Sequence, residues 1–403
     1  MVINMLNTNE IIKKFINKTK ETLIIEDLKK NIMLKKKLNI KIGFDPTSPD
    51  IHLGHTILLN KAKQFQKNGH NIIIIIGDFT GMIGDPSEKS TTRKQLSKEE
   101  VLSNAKTYKN QIFKILDEKN TKIVFNSTWL NKITTENLIK LTSKQTVAKM
   151  LQRDDFNKRY TKNKPIHIHE FLYPLIQAYD SVIIKSDLEL GGTDQKFNLL
   201  IGRNLQKSYN QKQQTIMMLP LLEGINETEK MSKSLKNYIS INEKADIIFE
   251  KLMSISDSLM WKYLNLLCDI DENEINKLKY DTKLGKNPKD IKINLAFNIV
   301  KKYNGYSEAN KSKNNFILKY SKKNDKNIQD YKLKLENEID NIKITVLLKN
   351  INFTKSISES IRMINQNSLK INNQTITNSN LTFKKNTCVF IKLGKKYGKI
   401  SIL

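Results

Sequence analysis

Residues 10–37 mix apolar and charged side chains and read as one or two short helices. Ile40 to Phe44 reads as a first strand, ended by Asp45-Pro46-Thr47. Leu58, Ala62 and Phe65 recur at helical spacing, which predicts a helix over Leu53–Lys67, stopped by Asn68-Gly69. Ile72 to Ile76 is an unbroken β-branched run with no polar alternation, the mark of a parallel strand buried on both faces. Strand, helix and strand within about 37 residues make a βαβ unit, so the expected fold class is α/β, a doubly wound sheet.

Further along, Ser97-Lys98-Glu99-Glu100 has capping-box form and opens a helix with Val101, Ala105, Tyr108 and Ile112 on one face. Lys122 to Phe125 reads as another strand. Residues 130–180 are mainly helical and interrupt the sheet pattern, as an insertion would. Val182 to Ile184 and Ile216 to Leu219 read as later strands, and residues 243–318 as helices. Residues 319–341, rich in Lys, Asp and Asn, read as a linker. A helix around Ser358–Gln366, a strand Leu369-Lys370-Ile371, a turn at Asn372-Asn373 and a hairpin from Val389 to Ile402 around Lys395–Gly398 form a small α+β module.

Composition narrows the class. At 403 residues the chain can hold two or three domains. No apolar run approaches membrane-spanning length, and neither a secretory signal nor an Arg-rich transit segment is legible at the N-terminus. Two cysteines, Cys268 and Cys388, make neither a metal set nor a disulfide framework, so a cytoplasmic, reduced protein is expected. The net charge is +28, which points to a polyanion partner, although a chain so rich in Lys, Ile and Asn also carries the mark of an AT-rich genome. Only five arginines remain, Arg93, Arg153, Arg159, Arg203 and Arg362, and each is a candidate for a role that needs guanidinium fork geometry. From Lys343 onward there are eleven Lys or Arg and one acid, Glu359, which favours RNA contact by the terminal module.

Two strings about 180 residues apart carry the chemistry: His52-Leu53-Gly54-His55 and Lys230-Met231-Ser232-Lys233-Ser234. The first follows Gly43-Phe44-Asp45-Pro46-Thr47 and lies between a strand's C-terminal end and a helix's N-terminus, where open α/β sheets bind ligands and backbone amides favour phosphate. Gly54 leaves room for a base against the backbone. The second string puts two ammonium groups on a loop beside Gly224. Together they offer imidazole, backbone N–H and ammonium groups that suit the phosphates of a nucleotide. Tyr173, Gln177 and Asp180 stand at i, i+4 and i+7, so one helix presents all three along one face.

These strings resemble the signature sequences of class I aminoacyl-tRNA synthetases, and more narrowly those of bacterial-type tyrosyl-tRNA synthetases. The resemblance extends to Ile83-Gly84-Asp85-Pro86-Ser87, to Gly191-Gly192-Thr193-Asp194-Gln195 and to the basic module, which is similar to the RNA-binding domain named after ribosomal protein S-four. It implies a Rossmann-type catalytic domain over 1–240 with an insertion at about 130–180, an α-helical domain over 241–320, a linker over 321–341 and an RNA-binding domain over 342–403. It implies that tyrosine is activated with ATP and Mg²⁺, with no prosthetic group, and passed to tRNA(Tyr), by a homodimer formed through residues near 130–165.

The implied tyrosine site is Gly43, Asp85, Tyr173, Gln177, Asp180 and Gln195, with Asp180 accepting from the substrate phenol. ATP is expected at Asp45, Pro46, Gly54, Asp194, Met231, Ser232 and Ser234, with Asp194 on the ribose. His52, His55, Thr47, Lys230 and Lys233 would stabilise charge on the leaving pyrophosphate, helped by Lys89 and Arg93. Arg362, Lys370, Lys395 and Lys396 are the expected tRNA contacts. One position departs from many relatives: Lys41 stands where a tyrosine helps bind the phenol, which leaves Asp180 as the one named partner. A tryptophan-specific relative, or a synthetase-derived RNA-binding or splicing protein, is the alternative.

Overall fold

The computed structural model describes residues 2–85, 96–325, 329–335, 341–372, 374–394 and 396–403. The chain forms two compact units, Met1–Lys313 and Asn314–Leu403.

The first unit is built on a six-stranded sheet: β1 (Glu21–Leu23), β2 (Asn39–Phe44), β3 (Asn71–Ile76), β4 (Thr121–Phe125), β5 (Leu188–Gly192) and β6 (Thr215–Leu219). The order across the sheet is β1-β6-β5-β2-β3-β4, parallel except for β1, which runs antiparallel to β6. The chain winds outward from β2 through β3 to β4, then returns to place β5 on the other side of β2. That reversal opens a crevice at the C-terminal ends of β2 and β5. The isoleucines of β3 are buried on both faces, as their unbroken run predicts. The helix Leu53–Lys67 follows β2, with Leu59, Ala62 and Phe65 buried against the sheet. Ser97 and Glu100 close a reciprocal capping box at the head of the helix Lys98–Ile112, with bonds of 2.8 and 3.2 Å.

The insertion between β4 and β5 is helical and ends in the long helix Ile168–Ile183. Two of the scarce arginines lie buried in it as forks on carboxylates. Arg153 grips Asp155 with two bonds of 2.6 Å, and Arg159 grips Glu170 at 2.5 and 2.8 Å. The expected strand at Val182–Ile184 is absent there, because Val182 and Ile183 finish that helix. Leu175, Ala178 and Val182 form a helical stripe packed on Ile201 and Leu205, and this packing outweighs the β-branched composition. The strand is instead Leu188–Gly192, which the Gly-Gly sequence disguises as loop.

Helices fill residues 245–325. Among the described residues, no helix is long and apolar enough to cross a membrane.

In the second unit a five-stranded sheet runs β10-β9-β12-β13-β7, from β7 (Gln329–Leu333), β9 (Leu369–Ile371), β10 (Gln374–Thr375), β12 (Thr387–Leu393) and β13 (Lys396–Ile402). A separate pair joins β8 (Asn341–Lys343) to β11 (Thr382–Lys384). Ile344, Leu347, Leu348, Ile364, Ile391 and Ile400 anchor the core beneath. β7 corrects the linker expectation, since it lies inside 319–341 yet pairs in parallel with β13. Tyr331 and Leu333 pack on the core, while the intervening Lys332 and the preceding Asp330 made the segment look like solvated coil. The hairpin reverses at Gly394, whose φ of 59° suits a residue without a side chain, slightly earlier than the expected Lys395–Gly398.

Candidate active site

β2 ends at Phe44, and its continuation Asp45-Pro46-Thr47 crosses the mouth of the crevice. Asp45 is fixed from two sides: Thr80 Oγ1 donates to Oδ1 at 2.8 Å, and Tyr173 Oη donates to Oδ2 at 2.7 Å. Gly77 makes this possible, because a Cβ there would sit 2.0 Å from Asp45 Oδ1 and 2.2 Å from Thr80 Oγ1. Asn126, at the end of β4, donates to Thr80 Oγ1 at 3.1 Å and to Asp180 Oδ2 at 3.3 Å. Trp129 Nε1 donates to Asp180 Oδ1 at 2.9 Å. A continuous polar chain therefore runs from Asp45 to Asp180. None of Asn126, Trp129 and Gly77 belongs to a sequence motif, although Gly77 and Asn126 directly follow the ends of β3 and β4 and Trp129 lies in the short helix Ser127–Leu130 just beyond.

The expected tyrosine-binding residues do gather. Gly43, Asp85, Tyr173, Gln177, Asp180 and Gln195 all line one pocket. Gln195 Nε2 donates to Asp85 Oδ2 at 2.8 Å, Gln177 Nε2 reaches Gln195 Oε1 at 3.4 Å, and Asn198 Nδ2 bonds both glutamine carbonyls at 2.9 and 3.1 Å. This cluster sets the Asp85 carboxylate beside the amide carbonyls of Gln177 and Gln195, acceptors of the kind an ammonium can use. Asp180 is fully buried at the far end. Burial pushes its carboxyl up to about 7, opposed by Lys41 and by the donors Trp129 and Asn126.

The two signature strings meet at the other end. Leu53 N donates to Ile239 O, and Ile241 N to Ile51 O, both at 3.0 Å, so the backbone after the second string is laced to the backbone around the first. The imidazoles of His52 and His55 stack with ring centroids 3.7 Å apart, and His52 N donates to His55 Nδ1 at 3.2 Å. A Cβ on Gly54 would press on the His52 ring at 3.0 Å. Burial lowers the pKa of His52 to about 3, with Lys233 and Lys230 adding to the effect. Burial also takes His55 well below 6.5, with His52 and Lys233 contributing. Both rings are therefore neutral at physiological pH, and each carries one N–H.

Asn237 organises the loop that carries the lysines. Its Oδ1 accepts from Ser232 N at 2.8 Å, and its Nδ2 donates to Lys230 O at 3.2 Å and Asn226 Oδ1 at 2.9 Å. Gly224 leaves room for it, since a Cβ there would lie 2.2 Å from the Asn237 amide nitrogen. The ammonium of Lys230 pairs with Asp194 at 2.9 Å, and that of Lys233 bonds Tyr108 Oη at 2.8 Å and Ser48 O at 3.2 Å.

Thr47, Asp45, Met231, Ser232 and Ser234 line the same pocket, whereas Pro46 is outside its lining and offers its carbonyl to Asn104 Nδ2 at 3.0 Å. Lys89 and Arg93 lie outside the described residues, as does Lys395. In the second unit Arg362 and Lys370 are exposed, while Lys396 Nζ is tied to the carbonyls of Asn352 and Phe353 at 2.6 and 3.0 Å. Among the described residues no group of three or more His, Cys, Asp or Glu is placed to hold a metal ion.

A parallel sheet with a pocket at its switch point, two stacked histidines at a helix N-terminus and two lysines on the facing loop define a class I aminoacyl-tRNA synthetase. Residues 33–321 match the family model for class I tRNA synthetases (W and Y), and the chain belongs to that family. It is 49% identical to the tyrosine--tRNA ligase of Legionella pneumophila strain Paris over 400 residues, 99% of each chain. It is 49% identical to tyrosine--tRNA ligase 2 of Pseudoalteromonas translucida over 388 residues, 95% of this chain and 96% of that one. Its fold resembles the tyrosyl-tRNA synthetase of Archaeoglobus fulgidus solved with L-tyrosine, with a TM-score of 0.61 at 22% identity over 76% of this chain and 99% of that one.

The histidine pair has a measurable consequence. His52 titrates near 3 in the folded chain and near 6.5 unfolded, so between these values the unfolded state binds the extra proton and acid favours unfolding. Going from pH 7 to 5, His52 should remove roughly 2 kcal/mol of stability. In denaturant titrations, His52→Asn should flatten the loss between pH 7 and 5 by about that amount, whatever its effect at pH 7. An unchanged pH slope would mean that the ring is solvated and protonates freely.

Proposed function

We propose that the chain is a tyrosine--tRNA ligase. It activates L-tyrosine with ATP to tyrosyl-adenylate and pyrophosphate, then transfers tyrosine to the 3′ end of tRNA(Tyr). The observation that supports this reading most is a single pocket with the two signature strings at one end and a buried carboxylate, Asp180, at the other. A phenol hydroxyl placed there donates to Asp180. The substrate ammonium is held by Asp85, Tyr173, Gln177 and Gln195. The full-length relatives named tyrosine--tRNA ligase favour this reading over the tryptophan-specific one.

The substrate carboxylate is already ionised and attacks the α-phosphorus in line as pyrophosphate leaves. The work of the chain is positioning and charge stabilisation. The ribose takes Asp194 and so competes with Lys230 for its carboxylate, which frees that ammonium for the phosphates. His52 and His55 donate N–H bonds as charge builds on the phosphates, and Thr47 and Lys233 face the same region. Lys89 and Arg93 are proposed to reach the pyrophosphate or the tRNA end. Mg²⁺ arrives on the phosphates of ATP. Residues 1–240 are proposed as the catalytic domain, the helices over 241–320 as the anticodon side, and the basic unit as the RNA-binding domain. Arg362, Lys370 and Lys395 are its proposed tRNA contacts. Lys396 is a weaker candidate, because its ammonium already serves two carbonyls. A homodimer assembled through the insertion, working in the cytoplasm, completes the proposal.

Lys230→Ala and Lys233→Ala each remove a charge that meets pyrophosphate mainly in the transition state. Each should slow adenylate formation by about two orders of magnitude while leaving tyrosine affinity within a factor of about two. Rapid-quench kinetics and equilibrium dialysis measure the two quantities. Weaker tyrosine binding with normal activation would show that the loop serves another purpose.

Removing the basic unit separates the two half-reactions. A chain ending at residue 325, ahead of β7, should retain tyrosine-dependent pyrophosphate exchange and lose most tRNA charging. Charging by the intact chain should weaken steeply between low and moderate salt, as phosphate contacts do. Full charging by the shortened chain would refute the assigned role, and loss of both activities would make the unit structural.

A further inference from the structure

Lys41 is one of the largest fully buried side chains, with 1% of its surface exposed. It sits on β2 directly across from Glu189 on β5, and the two form an ion pair at 2.7 Å. Its other donors reach Ser181 Oγ at 2.7 Å and Gln177 O at 3.1 Å. All three N–H bonds of the ammonium are therefore spent within the chain. The second oxygen of Glu189 accepts from Ser181 Oγ at 3.0 Å and from Gln214 Nε2. Replacing a buried ion pair with well-packed apolar residues is often neutral or stabilising, so stability alone does not account for a saturated pair at this position. The pair lines the same pocket as Asp180. It also grips the helix Ile168–Ile183 at Gln177 and Ser181, on either side of Asp180.

We propose that Lys41 is a positioning residue for the amino-acid end of the pocket: paired with Glu189, it fixes the helix segment bearing Asp180 and brings its positive charge to the end of the pocket where that carboxylate accepts the substrate phenol. This rests on the reading of Asp180 as the phenol's partner. Lys41 has no donor left for the substrate, so it acts through Asp180 and does not simply replace the phenol contact made by the tyrosine of many relatives. The charged groups acting on Asp180 are Lys41 from β2 and Glu189 from β5, and the segment after β4 contributes the neutral donors Asn126 and Trp129. Burial is the largest influence and favours the protonated acid. Lys41 is the largest influence against it, and Glu189 sides with burial. A protonated Asp180 would turn one oxygen into a donor and lose the acceptor the phenol needs.

The two members of the pair therefore push Asp180 in opposite directions, and opposite variants should separate them. The KM for tyrosine is measured in pyrophosphate exchange by the full-length protein from pH 6 to 8.5. In the intact chain it should rise as pH falls through about 7. Lys41→Met should move that rise to higher pH, by roughly one unit, so that the KM for tyrosine is about tenfold raised on the acidic limb and recovers toward pH 8.5. Glu189→Gln keeps the lysine charge and should move the rise to lower pH. Neither variant should change the KM for ATP. Should Lys41→Met fail to fold, the shift in Glu189→Gln alone decides the matter. A change in the KM for tyrosine that is equal at every pH in both variants would reduce the pair to a structural part and overturn the proposal. If Asp180→Ala bound tyrosine normally at pH 8.5, the phenol assignment beneath it would fall instead.

Discussion

Charge taken out of water inside this pocket has to find a partner within the chain, and the resulting network fixes nearly every group proposed to act. Each carboxylate is held by a named donor: Asp45 by Thr80 and Tyr173, Asp85 by Gln195, Asp180 by Trp129 and Asn126, Asp194 by Lys230, and Glu189 by Lys41. An unpaired buried polar group costs on the order of a few kcal/mol, so these bonds also act as placement devices. Substrate groups then exchange for bonds already made. Tyrosine's ammonium competes within the Asp85–Gln195 cluster, and the ribose competes with Lys230 for Asp194.

The sheet topology makes such a network reachable. Reversal of winding at β2 and β5 brings Asp45, Gly192 and Asp194 to one edge of the crevice, and the ends of β3 and β4 supply Gly77 and Asn126 beside it. Backbone pairing of residues 51–53 with 239–241 then holds the distant second string against the first. The lysine loop is secured through Asn237 and also through Glu223, which bonds Lys262 at 2.5 and 2.8 Å.

Much of this was legible in the residues. The β3 isoleucine run gave a buried parallel strand because no other element combines that length with that branching. The i, i+4, i+7 spacing put Tyr173, Gln177 and Asp180 on one face, and they share one pocket. What stayed hidden was whatever depends on contacts between segments far apart in sequence. Val182 and Ile183 look like strand until Ile201 and Leu205 are seen packing on their helix. β7 looks like coil until β13 supplies its partner. Lys41 reads as a lost phenol contact, and only the register of β2 against β5 reveals Glu189 opposite it. Asn126, Trp129 and Asn237 belong to no motif, because their work is to hold other residues.

The pocket is proposed to select tyrosine by its phenol and to activate it with ATP. Exchange of labelled pyrophosphate into ATP, run with each of the twenty amino acids, tests it most directly. Exchange is expected with tyrosine, with phenylalanine rejected by about 10⁴ or more, a magnitude characteristic of this enzyme family's sites that bond a substrate hydroxyl and not one derived from this pocket. Exchange that prefers tryptophan, that accepts phenylalanine comparably, or that is absent with every amino acid would contradict it.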